Sequence, residues 1–206
     1  MKKAISVFRV IIVLLIFIAI ISQIQSNMQL GLSLVNFFHF FTIESNIFIA
    51  LVLLYLALLE LSDTPNTVPQ MNSIKGATTL YITITGVVYS LLLTNVDVQT
   101  SDAWVNYVLH YIVPVYAIFD WIITYKAVHD LRFKETILWL IYPILYLAYS
   151  LVRGYLTGWY PYPFLNPENS EYGYYAVLIV SLVIVAFSLG VNFFLIYTPR
   201  LIKRQD

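Results

Sequence analysis

The amino-acid sequence predicts an all-α protein, one bundle of six transmembrane helices with both termini on the cytoplasmic side. The 206 residues are 60% hydrophobic and only 11% charged, and the mean hydropathy is +0.80. A soluble domain of this composition would be covered in apolar surface. The apolar residues fall into six long stretches, and most Lys and Arg residues lie near the same set of stretch ends. These observations indicate a multi-pass integral membrane protein.

Each of the six stretches is long enough to cross a bilayer, since a helix needs about 20 apolar residues to do so. The first follows Met1-Lys2-Lys3 as a secretory signal would, but Ser22 to Ser26 offer no small-residue cleavage site, so we count it as a helix. The connections are too short for a soluble domain, and residues 1–206 are expected to form a single domain. The predicted helices cover residues 4–26, 35–61, 73–94, 103–126, 134–157 and 172–198.

The orientation follows from the distribution of Lys and Arg, which favour the cytoplasmic ends of membrane spans. With the N-terminus inside, only Arg153 lies toward the outside. Trp104 and Trp159 then fall at the outer interface and Trp139 near the inner one, as an aromatic belt requires. The cytoplasmic flank consists of Lys2, Lys3, Arg9, Lys75, Lys126, Arg132, Lys134, Arg200, Lys203 and Arg204.

Composition and spacing exclude several classes of function. The net charge is zero and the basic residues are scattered, so no nucleic-acid partner is expected. The sequence has no cysteine, which excludes disulfides, thiol nucleophiles and cysteine-based metal sites. His39, His110 and Glu44 fall in the predicted outer half without the spacing of a zinc-binding helix, and we expect neither a metal nor another cofactor.

A hydroxyl and an imidazole share one predicted depth. Thr42 and His110 each lie seven residues after the outer start of a predicted helix, which is about 10 Å at 1.5 Å per residue. An imidazole beside a hydroxyl can accept its proton during attack on an acyl group. Thr and His inside membranes also serve as hydrogen-bonding groups between helices, so spacing alone leaves both interpretations open.

The fourth predicted helix carries two further polar features. Pro114 has no N–H, so it cannot bond the carbonyl of His110 four residues earlier. This predicts a kink and either a polar, water-filled cavity or a Tyr or Thr side chain near that carbonyl. Asp120 lies about 25 Å from the outer end of the helix, too far to orient His110, and we assign it a structural role.

The second predicted helix places His39, Thr42 and Asn46 at positions i, i+3 and i+7, which share one face. This face is expected to point into the bundle, and Asn46 is a candidate oxyanion donor one turn from Thr42. Glu44 is rotated from Thr42 by about 200°, and Arg153 in the fifth helix is the predicted counter-ion. His39, Glu44 and Arg153 complete the candidate pocket residues.

An aromatic, proline-rich segment at residues 157–167 follows the fifth helix. Its prolines fix φ and make it unsuited to a helix. It is predicted either to cover the site as a lid or to anchor the chain at the membrane interface. Its candidate lid residues are Trp159, Tyr160, Tyr162 and Phe164.

Three sequence strings carry a resemblance to a known family: Phe41-Thr42-Ile43-x-Ser45-Asn46, His110-x-x-x-Pro114 and Gly158-Trp159-Tyr160-Pro161-Tyr162-Pro163-Phe164. The sequence resembles, nearly end to end, a bacterial family of six-helix membrane proteins with no assigned activity. That family is distantly similar to the androgen-induced and androgen-dependent transmembrane hydrolases, which cleave fatty acid esters of hydroxy fatty acids. The acid ten residues after their histidine matches Asp120, whereas Glu44 and Arg153 have no counterpart.

The resemblance implies a lipid ester hydrolase of the bacterial plasma membrane in which Thr42 is the nucleophile and His110 the general base. Membrane lipids would be its partners and a lipid-like ester its substrate. The alternative is a membrane protein that binds or transports lipids or other small molecules in the same polar pocket without catalysis. Only the enzyme needs a nucleophile that a reactive probe can trap.

Overall fold

The computed structural model describes residues 2–65, 68, 70–94, 102–125 and 131–203, and all regular structure within these ranges is helical. Six of the helices are long and apolar enough to span a membrane, which confirms the predicted all-α transmembrane bundle. They are α1 (Lys2–Gln29), α2 (Phe41–Leu61), α3 (Met71–Leu93), α4 (Ala103–Thr124), α5 (Phe133–Thr157) and α6 (Tyr174–Lys203). Lys126 and Arg204, which the orientation argument counts, lie outside the described residues.

Helix α1 packs along α2 through one apolar face. Ile12, Ile16, Ala19 and Ile20 on this face are buried, whereas Ile18 on the opposite side is exposed. These spacings of three and four residues place the buried side chains on one side of a helix. The buried residues of the helices form a shared hydrophobic core, to which α5 and α6 contribute less because most of their apolar side chains point outward.

The second span begins later than predicted. A one-turn helix, Leu34–Phe37, forms first, with the Ser33 hydroxyl accepting the N–H of Asn36 at 3.3 Å. The chain then bends, and α2 starts at Phe41 after the extended residue Phe40. A continuous helix from residue 35 was therefore the wrong expectation, because the backbone leaves the helical conformation at Phe40, which is extended. The bend leaves Thr42 in the first turn of α2.

Helices α3 and α4 each contain a wide π-helical turn, at Tyr89–Leu93 and Val108–Ile112. Such turns insert an extra residue and are often found at functional sites. Pro114 follows the second of them, and the His110 carbonyl lies against Gly86 of α3. A Cβ on Gly86 would lie 3.0 Å from that carbonyl oxygen, so the glycine permits the close approach of α3 and α4.

At the end of the bundle that carries the termini, four charged side chains from α1 to α4 form an ion cluster. Arg9 Nε donates to Asp120 Oδ1 at 2.8 Å, and Arg9 Nη1 lies 3.0 Å from Glu60 Oε2. Lys75 pairs with the same Asp120 carboxylate and donates to the Thr124 hydroxyl. Arg9 and Asp120 are each 1% exposed. This is compatible with the structural role predicted for Asp120, and it places Arg9 and Lys75, two of the flanking basic residues, inside a buried cluster.

Helix α5 begins irregularly, through Phe133–Thr136 and a 3-10 turn at Ile137–Leu140, and ends at Gly158. Gly158 has φ +70, the left-handed conformation that commonly terminates helices, and its N–H donates to Gly154 O at 2.8 Å. Gly154 also admits the ring of Tyr160, because a Cβ there would lie 2.1 Å from Tyr160 Cε1. The outer segment therefore folds back onto the end of α5.

Candidate active site

The structure brings Thr42 and His110 into contact. Thr42 Oγ1 lies 3.2 Å from His110 Nε2. Both side chains are buried, with 8% and 5% of their surfaces exposed. The first turn of α2 presents the hydroxyl and the π turn of α4 presents the imidazole. This pairing, which the sequence suggests through matched depth, is the central feature of the site.

Two contacts hold the imidazole of His110. Its Nδ1 faces the carbonyl oxygen of Asn106 at 3.2 Å, and its ring stacks on Tyr89 with centroids 3.8 Å apart and planes at 16°. A carbonyl oxygen can only accept a hydrogen bond, so Nδ1 is the ring nitrogen that donates. Nε2 then carries the lone pair and faces the Thr42 hydroxyl. The backbone carbonyl orients the imidazole, as a carboxylate does in sites of the Ser-His-Asp type.

Tyr162 from the outer segment reaches the same hydroxyl. Its phenol oxygen accepts the N–H of Thr42 at 3.3 Å and lies 3.5 Å from Thr42 Oγ1. The neighbouring N–H of Phe41 donates to the hydroxyl of Tyr146 at 3.2 Å. These tyrosines satisfy backbone donors in the first turn of α2 that have no partner within the helix. Burial raises the pKa of Tyr162 above its usual value, so its phenol remains a proton donor at neutral pH.

Asn46 does not occupy the position expected of an oxyanion donor. Its Nδ2 donates to the carbonyl of Thr42 at 2.8 Å and to that of Leu109 at 3.2 Å. Both donors of the amide thus point to the backbone, and Asn46 lines neither of the two cavities at the site. The side chain connects α2 to α4 beside Thr42 and His110. Asn46 was predicted as a pocket residue, and its actual place is behind the pocket wall.

His39 lies apart from Thr42, because the predicted shared face needs a continuous helix and α2 begins only at Phe41. The His39 ring instead stacks on Tyr149 of α5, with centroids 5.4 Å apart, and hydrogen-bonds to its hydroxyl. The predicted inward position of His39 is therefore wrong.

The predicted ion pair of Glu44 with Arg153 is also wrong. Glu44 accepts a hydrogen bond from the hydroxyl of Tyr142. Arg153 donates to Asn36 Oδ1 at 2.6 Å and lies over the ring of Trp159 at 4.4 Å. Tyr142 and Arg153 are eleven residues apart on α5, which is about 16 Å along the helix, so Glu44 cannot meet both.

Two cavities of different character meet at Thr42. The larger, about 90 Å³, lies between α2, α3, α5 and α6 and is lined mainly by apolar side chains such as Ile84, Leu147 and Ile184. The smaller, about 30 Å³, faces α1 and α4 and contains the polar side chains of Gln23, Asn27 and His110. Thr42, Leu93 and Tyr162 line both cavities. The hydroxyl therefore stands in the wall between an apolar and a polar space.

The outer segment supplies part of this wall. Tyr162 and Phe164 stack on each other, with ring centroids 5.3 Å apart, and both line the larger cavity. Trp159 packs edge-on against Phe40, and Tyr160 lies on Gly154. The segment thus covers the site, and its role as a movable lid stays a prediction.

The arrangement contains the parts of a hydroxyl nucleophile: an acceptor at hydrogen-bonding distance, a carbonyl that orients it and a nearby phenolic donor. Within the part of the chain that the structure describes, no group of three or more His, Asp or Glu side chains could hold a metal ion. Thr42, His110 and Tyr162 bring a hydroxyl, an imidazole and a phenol together at one place.

Sequence reasoning missed four residues that surround the pair. Tyr89 stacks on His110, Asn106 orients it through its carbonyl, and Gln23 and Asn27 form the polar wall of the smaller cavity. Gln23 and Asn27 could have been found from the sequence, because two amides four residues apart near the end of the apolar helix α1 share one helix face. The other two depend on backbone geometry that periodicity does not reveal.

Comparison of the chain with protein-family models, with curated proteins and with solved structures finds no match. The basis for a functional assignment is therefore the geometry around Thr42 and His110.

Proposed function

We propose that the protein is an intramembrane hydrolase of lipid esters, with Thr42 as nucleophile and His110 as general base. The observation that supports this most directly is the 3.2 Å contact between Thr42 Oγ1 and His110 Nε2. The opposite ring nitrogen faces a backbone carbonyl, so Nε2 is free to accept a proton. A threonine that served only to join two helices would need neither the carbonyl that orients the imidazole nor two cavities beside it.

In the first half of the reaction, Thr42 Oγ1 attacks the carbonyl carbon of the ester and transfers its proton to His110 Nε2. The ester carbonyl oxygen becomes an oxyanion in a tetrahedral intermediate. The phenol of Tyr162 is the donor best located to stabilise this charge, since it lies 3.5 Å from Thr42 Oγ1. Collapse of the intermediate breaks the bond to the alcohol, and His110 returns the proton to the departing oxygen.

The second half removes the acyl group from Thr42. Water gives a proton to His110 Nε2 and attacks the acyl-threonine carbonyl, and His110 then returns the proton to Thr42 Oγ1 as the fatty acid is released. The acyl chain needs space on one side of Thr42 Oγ1, and the alcohol, and after it the water, needs space on the other side. The two cavities that share Thr42 supply such space.

The substrate class follows from the surroundings of the site. The larger cavity is lined mainly by apolar side chains, which suits an acyl chain, and six helices long and apolar enough to span a membrane surround the site. The resemblance to transmembrane hydrolases of fatty acid esters supports the same class. The distribution of Lys and Arg supports cytoplasmic termini, and the resemblance supports a bacterial plasma membrane.

A lipid-binding or transport protein is the second candidate, because an apolar cavity of about 90 Å³ beside a polar group would hold a lipid chain without cleaving it. The two functions differ in the reactivity of Thr42. Binding alone requires no activated hydroxyl, whereas hydrolysis does.

A fluorophosphonate probe tests the proposal, because it captures a hydroxyl activated by a neighbouring base. The purified parent protein should be labelled, with Thr42 as the modified residue by mass spectrometry. Thr42→Val should abolish labelling, and Thr42→Ser should retain it because the hydroxyl remains. His110→Ala should slow labelling by about 10²- to 10⁴-fold, the usual contribution of a general base.

Thr83→Val is the matched control, since Thr83 is also a buried threonine, but its hydroxyl donates to Thr79 O within its own helix. It should be labelled at the parental rate. Every variant must first elute as a single folded species in size-exclusion chromatography. Equal labelling of folded Thr42→Val and parent would remove Thr42 as the nucleophile and favour the binding protein.

A further inference from the structure

The smaller cavity has a polar wall that catalysis by Thr42, His110 and Tyr162 does not use. Gln23 and Asn27 of α1 are 3% and 2% exposed, and both line this cavity opposite His110. Gln23 Nε2 donates to Asn27 Oδ1 at 2.9 Å, so the two amides form one unit on a single face of α1. Amides are both donors and acceptors, the combination that an alcohol or water can match.

The position of His110 decides which part of an ester each cavity takes. His110 lines the smaller cavity and is absent from the lining of the larger one. The base must return its proton to the oxygen of the departing alcohol, so that oxygen has to lie on the side of His110. The acyl chain then extends to the other side of Thr42, into the apolar cavity.

Volume limits what the smaller cavity accepts. It measures about 30 Å³, and one water-sized group needs about 10–15 Å³ of such volume, so it holds about two to three heavy atoms. The larger cavity, about 90 Å³, holds about six to nine by the same measure. The smaller cavity therefore fits a short polar fragment beside Gln23 and Asn27 better than a second hydrocarbon chain.

We propose that the smaller cavity is the alcohol site of the enzyme and that Gln23 and Asn27 select esters of small, polar alcohols. This inference rests on the proposed hydrolase function and narrows its substrate. A hydroxyl on the alcohol fragment, two carbons from the ester oxygen, exchanges hydrogen bonds with the Asn27 and Gln23 amides. Once the alcohol leaves, the same space holds the water that cleaves acyl-Thr42. The substrate differs from that implied by the resemblance, in which the alcohol is itself a fatty acid.

Two octanoate esters that differ only in the alcohol test the assignment. Purified protein in detergent micelles is given 2-hydroxyethyl octanoate or decyl octanoate, and released octanoate is measured by mass spectrometry. The parent should cleave the hydroxyethyl ester at least tenfold faster. Asn27→Leu replaces the amide by an apolar group of similar size and should reduce this ratio to below threefold. Gln25→Leu makes the same change on an exposed position of α1 and should keep the parental ratio.

The parental comparison needs no variant, so it stands even if Asn27→Leu does not fold. Equal rates for the two esters, or a faster decyl ester, overturn the alcohol site while leaving the hydrolase in place. Cleavage of neither ester by a protein whose Thr42 still reacts with the fluorophosphonate also overturns the alcohol site alone. Cleavage of neither ester together with no labelling of Thr42 overturns the proposed function and the alcohol site with it.

Discussion

Removing the Asp120 carboxylate is expected to destabilise the bundle strongly. Asp120 is 1% exposed and pairs with both Arg9 and Lys75. In Asp120→Asn these two cations retain only Glu60, whose side chain is 30% exposed, as a charged partner in the cluster. Breaking a buried ion pair by removing one partner typically costs about 3–5 kcal/mol.

This cost corresponds to a lower midpoint of thermal unfolding by about 6–20 °C, since about 1 kcal/mol shifts the midpoint of a protein of this size by about 2–4 °C. The measurement is the fraction of detergent-solubilised protein that remains monodisperse in size-exclusion chromatography after heating. Asp63→Asn is the control, because the Lys3–Asp63 pair has side chains 69% and 78% exposed. Exposed pairs contribute less than about 1 kcal/mol, so the control should stay close to the parent.

A second substitution separates charge balance from loss of hydrogen bonds. Asp120→Asn with Lys75→Met removes one anion and one cation, which leaves Arg9 opposite Glu60. This double variant should regain more than half of the lost midpoint, because the buried charges balance again. A single Asp120→Asn variant within about 2 °C of the parent, less than the shift for about 1 kcal/mol, would refute the reasoning.

Three further predictions concern the site and the topology. Tyr162→Phe should lower ester hydrolysis by about 10²- to 10³-fold, as loss of an oxyanion donor does, whereas Tyr160→Phe should leave the rate unchanged, and initial rates measure both. Gly154→Ala should displace the Tyr160 ring, since the added Cβ would lie 2.1 Å from it, and a lower thermal midpoint together with slower fluorophosphonate labelling would report the disturbed segment. Reporter fusions at residue 66 and at the C-terminus should read cytoplasmic and one at residue 99 external, because Lys and Arg gather on one side.

Hydrophobicity predicts the helices of this protein well, because every span must satisfy its own backbone hydrogen bonds in lipid. The bend before Phe41 escaped prediction, since apolar residues lie on both sides of it and residues 35–61 therefore resemble one continuous span. The two π turns also left no sequence signal, except that Pro114 marks the region of one. The hydrophobic periodicity of an apolar stretch therefore does not predict local changes in its backbone hydrogen bonding.

Comparing depth along the helices found one pair of contacting residues, whereas pairing by charge alone gave a wrong pair. Thr42 and His110 were matched by counting residues from the predicted helix starts, and they are in contact. Glu44 and Arg153 were paired by charge, without the same comparison of depth, and each has a different partner. The Arg9–Asp120 pair joins residues 111 positions apart. To find this pair from the sequence, the depth of every charged residue would have to be compared at both ends of the bundle.

Helix α5 illustrates why polar contacts organise this bundle. One face of this helix carries Tyr142, Tyr146, Tyr149 and Arg153. Tyr142 bonds to Glu44, and Tyr146 bonds to the backbone of His39 and Phe41. Tyr149 bonds to the His39 ring, and Arg153 bonds to Asn36. In lipid, apolar side chains gain nothing by leaving the bilayer for a helix interface, so hydrogen bonds and close packing must fix the position of a helix. Because the same helix forms one wall of the apolar cavity, these contacts fix the position of that wall. Tyr146 takes part in these contacts and also lines the cavity, since its hydroxyl accepts the N–H of Phe41. It therefore couples the position of α5 to the turn of α2 that presents Thr42.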